Sequence, residues 1–158
     1  MIRLVKAKHL TNHNKVIQFP SQVPAKVWEF FDFGYLPDGK PIETWYKNEI
    51  SDRARFSFNA LIKNNEKIAN HLDWSGPDKQ MQGELKGKQI WQWRIPGELP
   101  YRMLGSFWGQ KRAVFLMGYY HKGGVYTPRN ALTTALDRKK LLDQGACKLY
   151  ERQAEDNL

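Results

Sequence analysis

Two arginines raise the first chemical question. Arg94 and Arg102 flank the loop Pro96-Gly97-Glu98-Leu99-Pro100, and a hairpin symmetric about Glu98 sets them directly opposite each other. Like charges across a strand pair repel. An anion between them offsets that cost, and a guanidinium pair suits a phosphate because it forks onto two oxygens. Plainer uses for each arginine are a bond to a loop carbonyl, an ion pair with Glu98, or packing over a tryptophan face. Further along, His121-Lys122-Gly123-Gly124-Val125-Tyr126 stands where a strand ends and the last helix has not begun, a usual place for chemistry on a rigid scaffold. Metal-free cleavage of a phosphodiester needs a base for the attacking hydroxyl, an acid for the leaving oxygen and cations for the phosphorane. Histidine serves in either proton role. Lys122 supplies a point charge or a proton, and Tyr126 stacks a base or donates a proton. A glycine pair after a strand is also ordinary turn chemistry. Lys86 and Lys88 extend the basic strip as phosphate contacts, or serve as a charged edge that discourages aggregation.

The elements that must hold these residues are readable in outline. Residues 27–33 form an aromatic run closed by Pro37-Asp38-Gly39, which predicts a strand. Pro41 opens a helix, and Ser51 caps a longer one with an apolar face at Ile50, Ala54, Phe58, Leu61, Ile68 and Leu72, ended by Ser75-Gly76-Pro77-Asp78. Three strands follow. In 88–95, Trp91, Trp93 and Ile95 face a core and alternate with Lys88, Ile90, Gln92 and Arg94. Residues 101–108 come next, then a turn at Gly109-Gln110. The run 113–120 is apolar on both faces and therefore central in a sheet. Thr127 and Pro128 start the last helix, Leu132, Ala135, Leu136 and Leu142 give it an apolar stripe, and Gly145 stops it. Strand, helices, three consecutive strands and helix describe an α+β domain with helices on one side of an antiparallel-rich sheet.

Composition narrows the classes. The 158 residues suit a single domain, divided here as an extension over 1–25, a domain over 26–145 and a tail over 146–158. Lys and Arg number 25 against 16 Asp and Glu, a net charge of +9. The whole excess lies between Lys86 and Lys140, where eleven basic residues face only Glu98 and Asp137. Arg138-Lys139-Lys140 has its own reason in the dipole at a helix C-terminus; without that trio and Asp137 the window still carries +7 on strands and loops. A single cysteine, Cys147, excludes a disulfide scaffold and a thiolate zinc site and fits a reducing cytoplasm. No apolar stretch is long enough for a bilayer span, and the charged start lacks the apolar run of a signal peptide. His9 and His13 are spaced i, i+4, but Leu10 breaks the zinc-protease pattern, and no phosphate loop or nucleophile elbow occurs. No metal or other cofactor is expected.

The residues also resemble a known family. Val27-Trp28-Glu29-Phe30-Phe31 with Gly39-Lys40-Pro41-Ile42-Glu43-Thr44-Trp45, then Trp93-Arg94, Pro100-Tyr101-Arg102-Met103-Leu104, Gly118-Tyr119-Tyr120-His121-Lys122 and Thr127-Pro128-Arg129, look like the phage-derived branch of the HigB/RelE-like toxins. The likeness covers about residues 27 to 142. It implies a RelE-like fold and metal-independent endoribonucleolytic cleavage of mRNA, commonly on the ribosome, held in check by a helix-turn-helix antitoxin. It matches Arg102 to the arginine that stabilises charge on the scissile phosphate. The family pattern also carries a lysine at the position of Lys122. With the residue readings above, the expected catalytic set is Arg102, His121, Lys122 and Tyr126, with Lys86, Lys88, Arg94 and Arg129 on the RNA. Ile90 and Gln92 depart from the pattern, because several members carry lysines inside that strand. The alternatives are a catalytically inactive toxin-like module that binds RNA or a protein target such as DNA gyrase, and a general nucleic-acid binder.

Overall fold

The computed structural model describes residues 25–74, 79–80 and 85–155; residues 1–24 of the expected extension, His9 and His13, and the break at residues 75–78 lie outside them. Along the described chain run β1 (Glu29–Gly34), α1 (Pro41–Asn48), α2 (Asp52–Asn65), a 3-10 turn (His71–Asp73), β2 (Lys79–Gln80), β3 (Trp91–Ile95), β4 (Tyr101–Phe107), β5 (Arg112–Lys122), β6 (Val125–Thr127), α3 (Ala131–Asp143) and β7 (Lys148–Glu151). The strands form one mixed sheet in the order β2-β3-β4-β5-β1-β7, with β6 also on β5. β5 is parallel to β1 and antiparallel to β4. The α+β expectation is met.

Why β5 lies at the centre follows from its residues: 113–119 are buried throughout, so both faces need cover. One face meets α1 and α2 through Phe30, Trp45, Phe58, Trp93, Met103 and Phe115. The other meets α3 through Phe33, Leu104, Val114, Leu116, Ala131, Ala135 and Leu142. The expectation of helices on one side is therefore corrected: a strand apolar on both faces cannot leave one to water, and α3 closes the second. Gly118 admits Trp45, since a Cβ there would stand 2.3 Å from the indole.

Local signals fare unevenly. Pro41 opens α1, and Ser51 caps α2 by accepting from the Ala54 N–H at 3.1 Å. α2 ends at Asn65, short of the predicted face: Ile68 only packs at the core margin, and Leu72 is exposed. α3 begins at Ala131, with Asn130 as its cap, because Thr127 is paired with Tyr120 in β6. Gly145, at φ +67°, closes α3. Its N–H bonds the Leu142 carbonyl and that of Ala146 bonds Leu141, the paired bonds of a Schellman stop.

The segment read as a tail from residue 146 belongs to the domain. β7 pairs antiparallel with β1, and Arg152 is buried, bonding Asp32 through Nε and Nη2 and reaching Glu43. Its guanidinium also lies over Tyr46, and the Glu155 N–H bonds the Asn59 side chain at 2.9 Å. Sequence periodicity does not signal this, because the ion pairs of Arg152 join residues 120 and 109 positions apart. Arg152→Ala strands two buried or half-buried carboxylates. It is expected to cost about 3–5 kcal/mol of stability, read as a lowered midpoint in urea; a loss below about 1 kcal/mol would contradict this role.

Candidate nucleic-acid interface

The hairpin of β3 and β4 has the register its loop symmetry predicts: Arg94 pairs with Arg102, Trp93 with Met103 and Ile95 with Tyr101. Glu98 is not the arginines' partner. It accepts from Ser51 Oγ at 2.6 Å and from the Tyr101 hydroxyl at 2.7 Å, tying the loop to the cap of α2. These two donors hold its carboxyl below the ordinary range, while burial first, and then the bond to Glu98, push Tyr101 up to about 12.

Arg102 is half-buried. Its Nη1 donates to the Tyr101 carbonyl at 2.8 Å, so one of the plainer uses is met in part, but its Nε is buried with no partner. Burial first, and Arg94 second, lower its pKa. Arg94 is exposed. Among the described residues neither arginine has a carboxylate within ion-pair distance. Two cations share a site, and nothing anionic in the described chain answers them.

A β-bulge decides what stands beside them. β5 inserts Leu116 where Phe115 opposes Gly105 and Met117 opposes Leu104. Simple alternation from Ala113 would place 119 and 121 on the same face as Phe115. The bulge reverses the phase, so Tyr119 lies on the α3 face opposite Arg102. His121 follows two residues on, a diagonal neighbour of Arg102 at roughly 7–8 Å by strand geometry. Tyr126 pairs with His121. The three rings cluster, with centroids 5.4 Å apart for Tyr119 and Tyr126, 6.0 Å for His121 and Tyr126, and 6.5 Å for Tyr119 and His121. The Tyr119 hydroxyl donates to Gln92 Oε1 at 2.7 Å. Burial first, then Tyr126, push its pKa up to about 12.

The fold thus gathers Arg94, Arg102, His121 and Tyr126 on one sheet face. Tyr119 and Gln92 complete that patch; sequence reasoning missed them because only the bulge and the Gln92 contact bring them in. Lys122 is exposed at the hairpin end, where alternation directs it away from the His121 face. Gly123 and Gly124 make the two-residue turn there with φ of +57° and +80°, as a type I′ turn requires. Lys86 and Lys88 are exposed and precede β3 instead of entering it, in a loop anchored by Leu85 and Ile90 in the second core. The Gln89 carbonyl of that loop accepts from Ser106 Oγ at 2.9 Å. Arg129 is exposed just ahead of α3. Arg138 and Lys139, assigned above to the helix dipole, are buried instead. Among the described residues no three His, Cys, Asp or Glu side chains gather as a metal site would need, and no helix is long and apolar enough to cross a membrane.

No protein-family model, curated protein or solved structure matches this chain.

Two outcomes follow from this geometry. Arg102→Met removes a half-buried cation held beside a like charge, so stability should hold or rise, by up to about 2 kcal/mol, in chemical denaturation; a loss above about 2 kcal/mol would mean the arginine is structural. Glu98, with its folded pKa depressed, stabilises above its unfolded value of 4.5, and this contribution fades as pH falls through the folded value. The stability gap between wild type and Glu98→Gln should therefore narrow from pH 6 to pH 3. A gap of constant size would refute the two bonds as ionic.

Proposed function

We propose that the protein is a HigB/RelE-like toxin that binds mRNA on the α3 face of its sheet and cleaves it, with the ribosome as the setting and a helix-turn-helix antitoxin as the restraint. The observation that carries this reading is the Arg94–Arg102 pair, two cations set face to face with a buried unpartnered Nε and no described carboxylate. A phosphodiester supplies what the pair lacks: one anion, with two oxygens for two forked donors.

The chemistry then follows from neighbours. His121 takes the proton of the 2′-hydroxyl, the 2′-oxygen bonds to phosphorus, and the P–O5′ bond breaks. The departing 5′-oxygen takes a proton from Tyr126, which pairs with His121 on the same face; Lys122, on the opposite face, is left to flanking phosphates. The products are a 2′,3′-cyclic phosphate and a 5′-hydroxyl. Arg102 and Arg94 stabilise the charge that accumulates on the phosphorane. Tyr119, buried and held by Gln92, packs beneath the patch and supports Tyr126 and His121 from below. Lys86, Lys88 and Arg129 meet flanking phosphates and give binding its salt dependence.

A second reading, RNA or protein binding without cleavage, has its own support. The strand that bears lysines in several toxins here has Ile90, fully buried, and Gln92, engaged by Tyr119. Induced expression with primer extension on a reporter mRNA, alongside purified protein on a short RNA, separates the two. New 5′-hydroxyl ends are expected, lost in Arg102→Ala and reduced about 10²–10⁴-fold in His121→Ala. RNA that is bound but stays intact selects the non-cleaving module. RNA that is neither bound nor cut, with no difference between wild type and Arg102→Ala, overturns the proposal.

A further inference from the structure

A second site lies away from the arginine pair, at the end of the parallel pair β1–β5. After β1 the chain crosses to α1 on one face, and after β5 and β6 it crosses to α3 on the other. Adjacent parallel strands whose connections leave to opposite faces open a crevice beyond their carboxyl ends, the position where open sheets bind ligands. Here that crevice is a cavity of about 400 Å³ bordered by Tyr35, Lys40, Thr44, Trp45, Gly118 and Arg138, within the size range of small-molecule sites. None of Arg94, Arg102, Tyr119, His121 or Tyr126 borders it.

Arg138 gives the cavity its chemistry. The residue is only 8% exposed. Its Nε donates to the Tyr35 hydroxyl at 2.8 Å and its Nη1 to the Leu116 carbonyl at 2.7 Å, and its guanidinium lies over the Tyr35 and Phe33 rings. These contacts fix the side chain without neutralising it. A buried cation ordinarily has a counter-ion, yet among the described residues no carboxylate pairs with Arg138; Glu49 borders the cavity and makes no ion pair with it. Lys40 adds a second cation at the border, 4.8 Å from the Tyr150 ring centroid. The balance of Arg138, Lys40 and Glu49 leaves one positive charge, and Trp45, Tyr35 and Gly118 supply an apolar floor.

We infer that this crevice binds a small organic carboxylate, its apolar body against Trp45 and its carboxylate on Arg138. The test uses the full chain, ligand-observed NMR and thermal shift, with benzoate, hexanoate and indole-3-acetate each compared with its neutral amide. At least one carboxylate should bind saturably and about tenfold or more tightly than its amide. Arg138→Met should abolish that preference. Because Arg138 is buried and its variant risks misfolding, Thr44→Phe at the exposed border provides an independent block and should weaken the same carboxylate. No saturable binding up to about 10 mM, equal binding of acid and amide, or unchanged binding in Thr44→Phe would each overturn the inference. Neither result bears on RNA cleavage, which uses different residues.

Discussion

Burial of β5 on both faces is the constraint from which the architecture follows. Residues 113–119 have no solvent-facing side, so one face draws in α1 and α2 and the other α3. The edges must be paired as well, by β4 over most of the strand's length on one side, and by β1 at its start and β6 at its end on the other. Where β1 stops and β5 continues, the sheet has an opening, and that opening is the crevice beneath Arg138. Past it, the last residues of β5 present the ring cluster beside the arginine pair. The two sites are two consequences of one long strand that outlasts its parallel neighbour.

Placing two cations across a strand pair works against stability, and the structure does not relieve it. Glu98, the acidic residue nearest in sequence, is committed to Ser51 and Tyr101. The acids that do meet buried arginine, Asp32 and Glu43, are spent on Arg152 at the other side of the sheet, where they bind the last strand to the domain. Burial raises the Asp32 pKa, while the bonds and charge of Arg152 pull it back. Buried Arg152 has its anions built in, whereas half-buried Arg102 is left facing a second arginine.

Much of this was legible in the residues. The aromatic strand at 29–34, the Pro41 and Ser51 helix starts, the Gly145 stop and the central apolar strand each rest on a local rule. The 94–102 register came from the symmetry of a five-residue loop. What could not be read has a common character, namely contacts fixed by distant parts of the chain. The bulge at Leu116 reverses which face Tyr119 and His121 occupy, yet nothing in an unbroken apolar run signals it. β7 and Arg152 depend on a partner at Asp32, and the cover of α3 on the second face depends on the sheet being complete. Arg138 looked like a helix-end charge because its sequence neighbours are charged, whereas its surroundings are Tyr35, Phe33 and a β5 carbonyl.

The central claim is that Arg94 and Arg102 are opposed because a phosphate belongs between them. A double-mutant cycle on these two positions, with stability measured in the free protein and again with a saturating single-stranded ribo-oligonucleotide, tests it directly. A repulsive coupling is expected in the free protein, becoming favourable when RNA is bound. A coupling that is the same in both states, or already attractive without RNA, would contradict it.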